Sequence, residues 1–168
     1  METLHMVIRR MQESDIPQVH EIDMLSLSLP WSERSYHFEV VENRAARPWV
    51  VEVTLPDGSQ KLAAMLVLWL ILDEAHIATV AVHPEFRRKG IGLRLTAHAL
   101  ASAAENGART AFLEVRAGNF SAQELYRKLG FQVEGVRPRY YRDNHEDALL
   151  MMLENLDAQE LKALALGA

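Results

Sequence analysis

The pattern of apolar and polar positions resolves the chain into short, alternating elements. A run from Met6 to Met11 reads as a first strand, and Ser14 or Asp15 is placed to cap a helix beginning near Pro17, since proline is tolerated in a first helical turn. Pro30-Trp31-Ser32 breaks that helix, and Ser32 can cap a second one running to about Asn43. Strands over Trp49 to Thr54 and Lys61 to Leu72 flank Pro56-Asp57-Gly58, whose turn chemistry marks a hairpin. Another strand, His76 to Val82, stops at Pro84. From Gly90 the period becomes helical, with Leu93, Ala97, Leu100 and Ala104 on one stripe and Asn106-Gly107 at its end. Thr110 to Arg116 is again a strand, with Ala111, Leu113 and Val115 on one face. Ala122, Leu125 and Leu129 then line one side of a helix closed by Gly130. Phe131 to Val136 and Ala148 to Leu153 pair as closing strands, and Asp157 to Leu166 is a short terminal helix carrying Leu161 and Leu164 on one face. Strands and helices in this order predict an α/β fold, a mixed sheet covered by helices.

Length and composition narrow the picture. At 168 residues the chain suits one domain that buries roughly 70% of its unfolded surface. We expect that domain over residues 1–156 and a helical extension over 157–168. With 49% apolar and 24% charged residues the composition is that of a globular protein. The absence of cysteine removes disulfides, thiolate metal sites and a cysteine nucleophile. The longest apolar run, Leu62 to Leu72, is too short for a bilayer, which needs about 20 residues, and reads as a buried strand. No basic stretch followed by an apolar one opens the chain, so the expectation is a cytoplasmic protein that does not engage a membrane. A net charge of −5 argues against direct, non-specific nucleic-acid binding and would suit a cationic acceptor. The seven histidines show no helical pair at metal-ligand spacing, so no metal is expected, and His76 and His83 read as strand-surface residues.

The segment with chemical content runs from Val80-Ala81-Val82 through His83-Pro84-Glu85-Phe86 to Arg87-Arg88-Lys89-Gly90-Ile91-Gly92-Leu93. A strand entering a helix through a basic, glycine-bearing turn is an anion site: turn amides and the positive helix end favour negative charge, and glycine lets a phosphate approach the backbone. The turn lacks the Lys-Ser or Lys-Thr pair of a nucleoside-triphosphate loop and the three glycines of a dinucleotide fingerprint. Taken alone, it is equally an exposed basic helix start.

The Arg-x-x-Gly-x-Gly pattern after a Val-Ala-Val strand resembles the coenzyme A loop of the GNAT superfamily, and the order of elements from Met6 to Leu153 resembles that fold. Pro30-Trp31-Ser32, Leu113-Glu114-Val115-Arg116, Asn119 with Leu125 to Phe131, and Tyr140-Tyr141 followed by Glu146-Asp147-Ala148 extend the likeness to the RimI group, the ribosomal-protein-alanine N-acetyltransferases. The resemblance implies a mostly antiparallel sheet of about seven strands flanked by about four helices. It also implies acetyl-CoA as cosubstrate, direct transfer in a ternary complex, and a protein N-terminus, in this group a ribosomal protein's, as acceptor. The rivals are a lysine side chain or small amine as acceptor, and a non-catalytic coenzyme A sensor. Oligomeric state is not legible, although the terminal helix is of a kind that serves dimers.

Individual residues keep two readings each. Glu114 shares a strand face with Phe112 and Arg116, so it is either the partner of Arg116 or a general base that relieves an acceptor ammonium of its proton, the role that the resemblance implies. Tyr126 is a packing tyrosine or, by resemblance, the acid beside the coenzyme sulfur. Asn119 is an N-cap that by resemblance also bonds the coenzyme. Val80 to Val82 would contribute backbone amides where, in the family, this strand splays from its neighbour. Trp31, Tyr140 and Tyr141 either pack or line the acceptor groove. Gly118 stands where the group has a small hydroxyl residue, which would loosen the start of the helix bearing Tyr126.

Overall fold

The computed structural model describes residues 4–167. Residues 1–3 and 168, which belong to the expected domain and extension, lie outside the described residues. The strands are β1 (His5–Arg10), β2 (Ala46–Thr54), β3 (Gln60–Ile71), β4 (Glu74–Val82), β5 (Thr110–Arg116), β6 (Gln132–Arg137) and β7 (Ala148–Leu153). The helices are α1 (Ile16–Ser26), α2 (Glu33–His37), α3 (Ile91–Glu105), α4 (Phe120–Lys128) and α5 (Ala158–Ala165). The seven strands form one sheet in the order β1-β2-β3-β4-β5-β7-β6, antiparallel except between β4 and β5. The expected mixed, mostly antiparallel α/β architecture is therefore the one found.

The apolar run of β3 is central because Leu62 to Leu68 is buried on both faces of the sheet. On one face Leu66, Leu68, Leu113 and Val115 pack with α3, α4 and α5; on the other, Met65 and Val67 pack with Val19, Ile22 and Tyr36 from α1 and α2. β2 starts three residues earlier than its pattern suggests and contains Pro48. Its carbonyl accepts from the Met11 amide at 3.0 Å, beyond the last ladder pair of β1, so the proline's missing donor faces the end of that ladder.

Several local expectations need correcting. Asp15 does not cap α1; its carboxylate accepts from the Gln12 amide at 2.7 Å and from Arg9, closing a 3₁₀ turn ahead of the helix. Ser32 does cap α2, accepting from the Ser35 amide at 3.1 Å, but the helix continues over Phe38–Glu42 in wider π-type turns. α3 is buried well beyond one stripe, at Leu95, Thr96, Ala99 and Ala103 as well as Ala97 and Leu100, because the sheet lies on one side and α5 on another. α5 lies along α3: Leu161 and Ala165 sit in the larger core, and Arg94 Nε donates to the Ala165 carbonyl at 2.9 Å. On α4 the deeply buried positions are Gln123 and Tyr126 rather than Ala122 and Leu125. Gln123 Nε2 donates to the Arg116 and Ala117 carbonyls at 3.1 and 3.0 Å, rotating the stripe by one residue.

Candidate active site

β4 and β5 pair only at Glu74–Thr110, Ala75–Ala111 and His76–Phe112; beyond His76 the two strands part. On its other side β4 stays paired with β3 as far as Val82. The His83 amide donates to Ala63 of the β3 side, so the two-residue alternation turns the polar groups of Ala81 to β3 as well and those of Val80 and Val82 into the splay. Ala81 thus has no backbone group free for a ligand, which corrects the expectation that all three residues offer one.

The splay leads into the turn before α3. His83 is buried, not on the surface, and its Nδ1 accepts from the Glu85 amide at 3.1 Å. Arg88 and Gly90 are left-handed (φ 62° and 76°), a conformation that glycine adopts freely and arginine at a cost, and they curl the chain directly into the helix. No side chain caps α3 and no acid occupies its first turn, so the amides of Ile91, Gly92 and Leu93 present an uncompensated positive helix end. Gly92 lies so close to α4 that a Cβ would meet Leu125 at 3.1 Å and Val82 at 3.3 Å. Arg88 and Lys89 are exposed. The Arg87 guanidinium is turned back instead: Nε donates to the Val82 carbonyl at 3.0 Å and Nη2 to Ser26 Oγ at 3.0 Å, joining the turn to α1. An open strand edge running into an uncapped, acid-free helix start fits a long ligand that ends in phosphates.

Glu114 lies where the strands begin to part, with a side chain only 14% exposed. It does not pair with Arg116. His76 Nε2 sits 2.8 Å from Glu114 Oε2, and Arg137 of β6 approaches the other oxygen at 3.8 Å. The His76 hydrogen bond, working against burial, holds the Glu114 carboxyl below the usual range. His76 is therefore a partner of the candidate base, not a bare surface residue; its ring stacks on Phe112 at 4.5 Å and meets the edge of Trp69 at 5.3 Å. Trp69 in turn stacks on Trp31 at 6.5 Å. The Trp31 amide donates to Asp23 at 3.0 Å, and the Tyr36 hydroxyl donates to the same carboxylate, which burial pushes up. Beside Trp31 opens a cleft of about 580 Å³ between it and the Phe38–Glu42 segment.

A second pair of aromatic rings lies in the loop between β6 and β7, which Arg116 of β5 holds. Arg116 reaches Asp143 with two bonds of 3.0 Å and Glu146 with one of 3.4 Å, while its guanidinium lies 3.9 Å over the Tyr141 ring. Tyr140, exposed, meets Tyr141 edge-on at 5.1 Å. Burial above all pushes the Tyr141 phenol up to about 12. Glu146 also accepts from the Gly118 amide at 2.7 Å, and a Cβ at 118 would fall at that same 2.7 Å from its oxygen. The start of α4 is thus clasped by Glu146 rather than loosened by the glycine. Asn119 caps α4, accepting from the Ala122 amide at 3.2 Å. Tyr126 lies with Leu113 and Val115 behind the sheet, edge-on to Phe131 at 5.8 Å, and burial first and Tyr141 second push its phenol well up.

Glu114 and Tyr126 therefore flank the splay from opposite faces of the sheet. Sequence reasoning missed His76, Trp69, Arg137 and the Arg116 clasp. The alternation along β5 marks the face of Glu114, but the partners on it come from strands whose register only the folded sheet defines.

Splayed parallel strands, a phosphate-ready helix start and a carboxylate at their junction define a coenzyme A-dependent acyltransferase class. Residues 16–131 match the Acetyltransferase (GNAT) family, and the chain belongs to that family: it is an acetyl-CoA-dependent N-acetyltransferase. Within it, the chain is 40% identical over 144 residues to the putative [ribosomal protein bS18]-alanine N-acetyltransferase of Bacillus subtilis, covering 86% of this chain and 92% of that protein. It is 33% identical over 148 residues to the [ribosomal protein bS18]-alanine N-acetyltransferase of Escherichia coli K12, with 87% and 95% covered. The crystal structure of the E. coli ribosomal-protein-S18-alanine N-acetyltransferase superposes with a TM-score of 0.79 at 30% identity, over 92% of this chain and 96% of that one. Among the described residues no helix is long and apolar enough to cross a membrane.

Proposed function

We propose that this N-acetyltransferase modifies the N-terminal α-amine of a ribosomal protein, alanine-terminated as in its relatives, in the cytoplasm. The observation that carries the reading is the Glu114 carboxylate, ionised and partly shielded at the apex of the β4–β5 splay, beside an aromatic row from His76 to Trp31. Identity to two bS18-alanine N-acetyltransferases over more than nine-tenths of their length supports the acceptor.

Bound acetyl-CoA supplies the acetyl thioester. The inward amides of Val80 and Val82 hold its arm, and those of Ile91, Gly92 and Leu93, with Arg88 and Lys89, meet its phosphates. Asn119 borders the same groove at the start of α4. Trp31, Tyr140 and Tyr141 hold the acceptor backbone, rigid rings that lose little entropy on doing so. Glu114 takes the proton from the acceptor ammonium, freeing the nitrogen lone pair, and Tyr126 keeps its proton at neutral pH, ready to donate it to the departing sulfur. No covalent enzyme intermediate is required, because co-binding makes the attack effectively unimolecular.

The test is acetyl-CoA turnover on short peptides with free or blocked N-termini. We expect acetylation of free alanine N-termini only, and Glu114→Gln to lower kcat by about 10²-fold or more with acetyl-CoA binding retained. Equal reaction of blocked, lysine-bearing peptides would overturn the N-terminal acceptor. Coenzyme binding without turnover on any amine would favour a sensor.

A further inference from the structure

We propose that His76 is a positioning residue for acetyl transfer: its imidazole donates from Nε2 to Glu114 Oε2, fixing the carboxylate so that Oε1 alone faces the acceptor amine. The inference rests on the reading of Glu114 as the base.

An ionised carboxylate has no proton to give, so the 2.8 Å contact requires the proton on Nε2 of the imidazole. The ring is held for that task. It stacks nearly parallel on Phe112, 14° between planes, the residue two positions before Glu114 on the same strand face and directly opposite His76 in the β4–β5 register. The edge of Trp69, the β3 partner of His76, closes the other side. These are the last paired positions before β4 and β5 separate, so the hydrogen bond ties the base on one strand to the other at the apex of the splay. Without it Glu114, whose strand neighbour on the far side is Leu150 of β7, would be left to the Arg137 guanidinium, at 3.8 Å on Oε1, the oxygen needed for chemistry. Arg116, on the same face, is committed to Asp143 and Glu146, and Tyr141 faces Glu114 from the loop without a charge. With His76 on Oε2, the lone pairs of Oε1 receive the proton when the acceptor N–H bond breaks and the O–H bond forms.

The test separates the ring from its donor. His76→Phe keeps the stack on Phe112 and deletes the donor, whereas His76→Gln loses the ring and places an amide N–H near the former Nε2. Turnover of the N-terminal peptide and acetyl-CoA affinity are measured for both, beside Glu114→Gln and the His76→Phe/Glu114→Gln double variant. The Glu114 side-chain carboxyl is titrated by carbon NMR in the wild type and in His76→Phe. We expect His76→Phe to lower kcat by about 10- to 100-fold, the range for losing one hydrogen bond to a charged group, with acetyl-CoA affinity unchanged and the carboxyl titrating at higher pH. His76→Gln should recover most of the rate, and the double variant should be no slower than Glu114→Gln alone. If Glu114→Gln is impaired while His76→Phe turns over normally, or if His76→Phe and His76→Gln fail equally with the carboxyl titration unmoved, the positioning role is overturned and the base stands. If Glu114→Gln itself keeps full turnover, the base reading fails, and the role of His76 with it.

Discussion

Tyr126 shows what surroundings add to a residue that chain position alone leaves ambiguous. Its ring is packed against Phe131 in the larger core, so it serves packing, yet the same burial keeps its phenol protonated far above neutral pH, which is what an acid needs. The two roles separate experimentally because the ring packs and the hydroxyl reacts. We expect Tyr126→Phe to leave the urea midpoint almost unchanged while kcat falls by about 10²-fold; an equal loss of stability and rate would assign the residue to packing alone. Gly118 carries a different lesson. Its departure from the related group suggests looseness at the start of α4, but the backbone there is held by Glu146, 28 residues downstream in the loop between β6 and β7, a contact that no local pattern contains. The alternation along β5 did place Glu114 on the right face. It could not say that Arg116 is taken by Asp143 and that His76 takes its place.

At the scale of elements, neighbours decide how much of a helix is buried. The stripe Leu93, Ala97, Leu100, Ala104 describes a helix lying on one surface, whereas α3 has the sheet on one side and α5 on another, and its alanine-rich flanks are what let α5 approach. Leu161 is the contact by which α5 enters the core, 4% exposed. We expect Leu161→Ala to cost about 2–4 kcal/mol in urea denaturation, the range for a buried leucine that leaves a partly collapsed cavity. A loss below about 0.5 kcal/mol would instead mean that α5 contributes little to the fold and is an extension in the energetic sense too. The π-type turns of Phe38–Glu42 are equally a matter of neighbours. Glu39 on that segment accepts from Trp69 Nε1 at 3.0 Å and from Asn43 at 2.8 Å, anchoring it to β3 beside the cleft at Trp31.

For the whole molecule, the ionised groups set how stability responds to acid. Burial disfavours the Asp15 carboxylate, but its hydrogen bonds to Arg9 and the Gln12 amide outweigh burial and hold it below the ordinary range; Glu114, Asp143 and Glu146 are lowered too. A carboxyl lowered by folding contributes stability that is complete above the unfolded value, about 4, and is lost as pH falls through the folded value. Asp23, raised by burial, has the opposite sign and gains as pH falls. With six carboxyls lowered, Asp57 and Glu85 besides these four, against one raised, and with the His98 imidazole lowered by burial, we expect a urea midpoint that begins to fall as pH drops through about 6.5, the unfolded imidazole value, and falls further below about pH 4. A midpoint that rises on acidification would mean that relief of the buried Asp23 charge outweighs the lost ion pairs.

The sequence by itself determined the seven strands, the helix that starts at the basic turn, and the family to which both point. These follow from local rules, since hydrophobic period, proline and glycine act within a few residues of where they stand. It also named the side chains that can move a proton, Glu114 and Tyr126. Only the tertiary structure decided which side chains meet them. The early end of β4–β5 pairing, the set of His76 on Glu114 and the clasp of Arg116 on the Tyr141 loop all depend on the register between strands far apart in the chain. That register is fixed by packing of the whole sheet against its helices, in which no single local signal dominates.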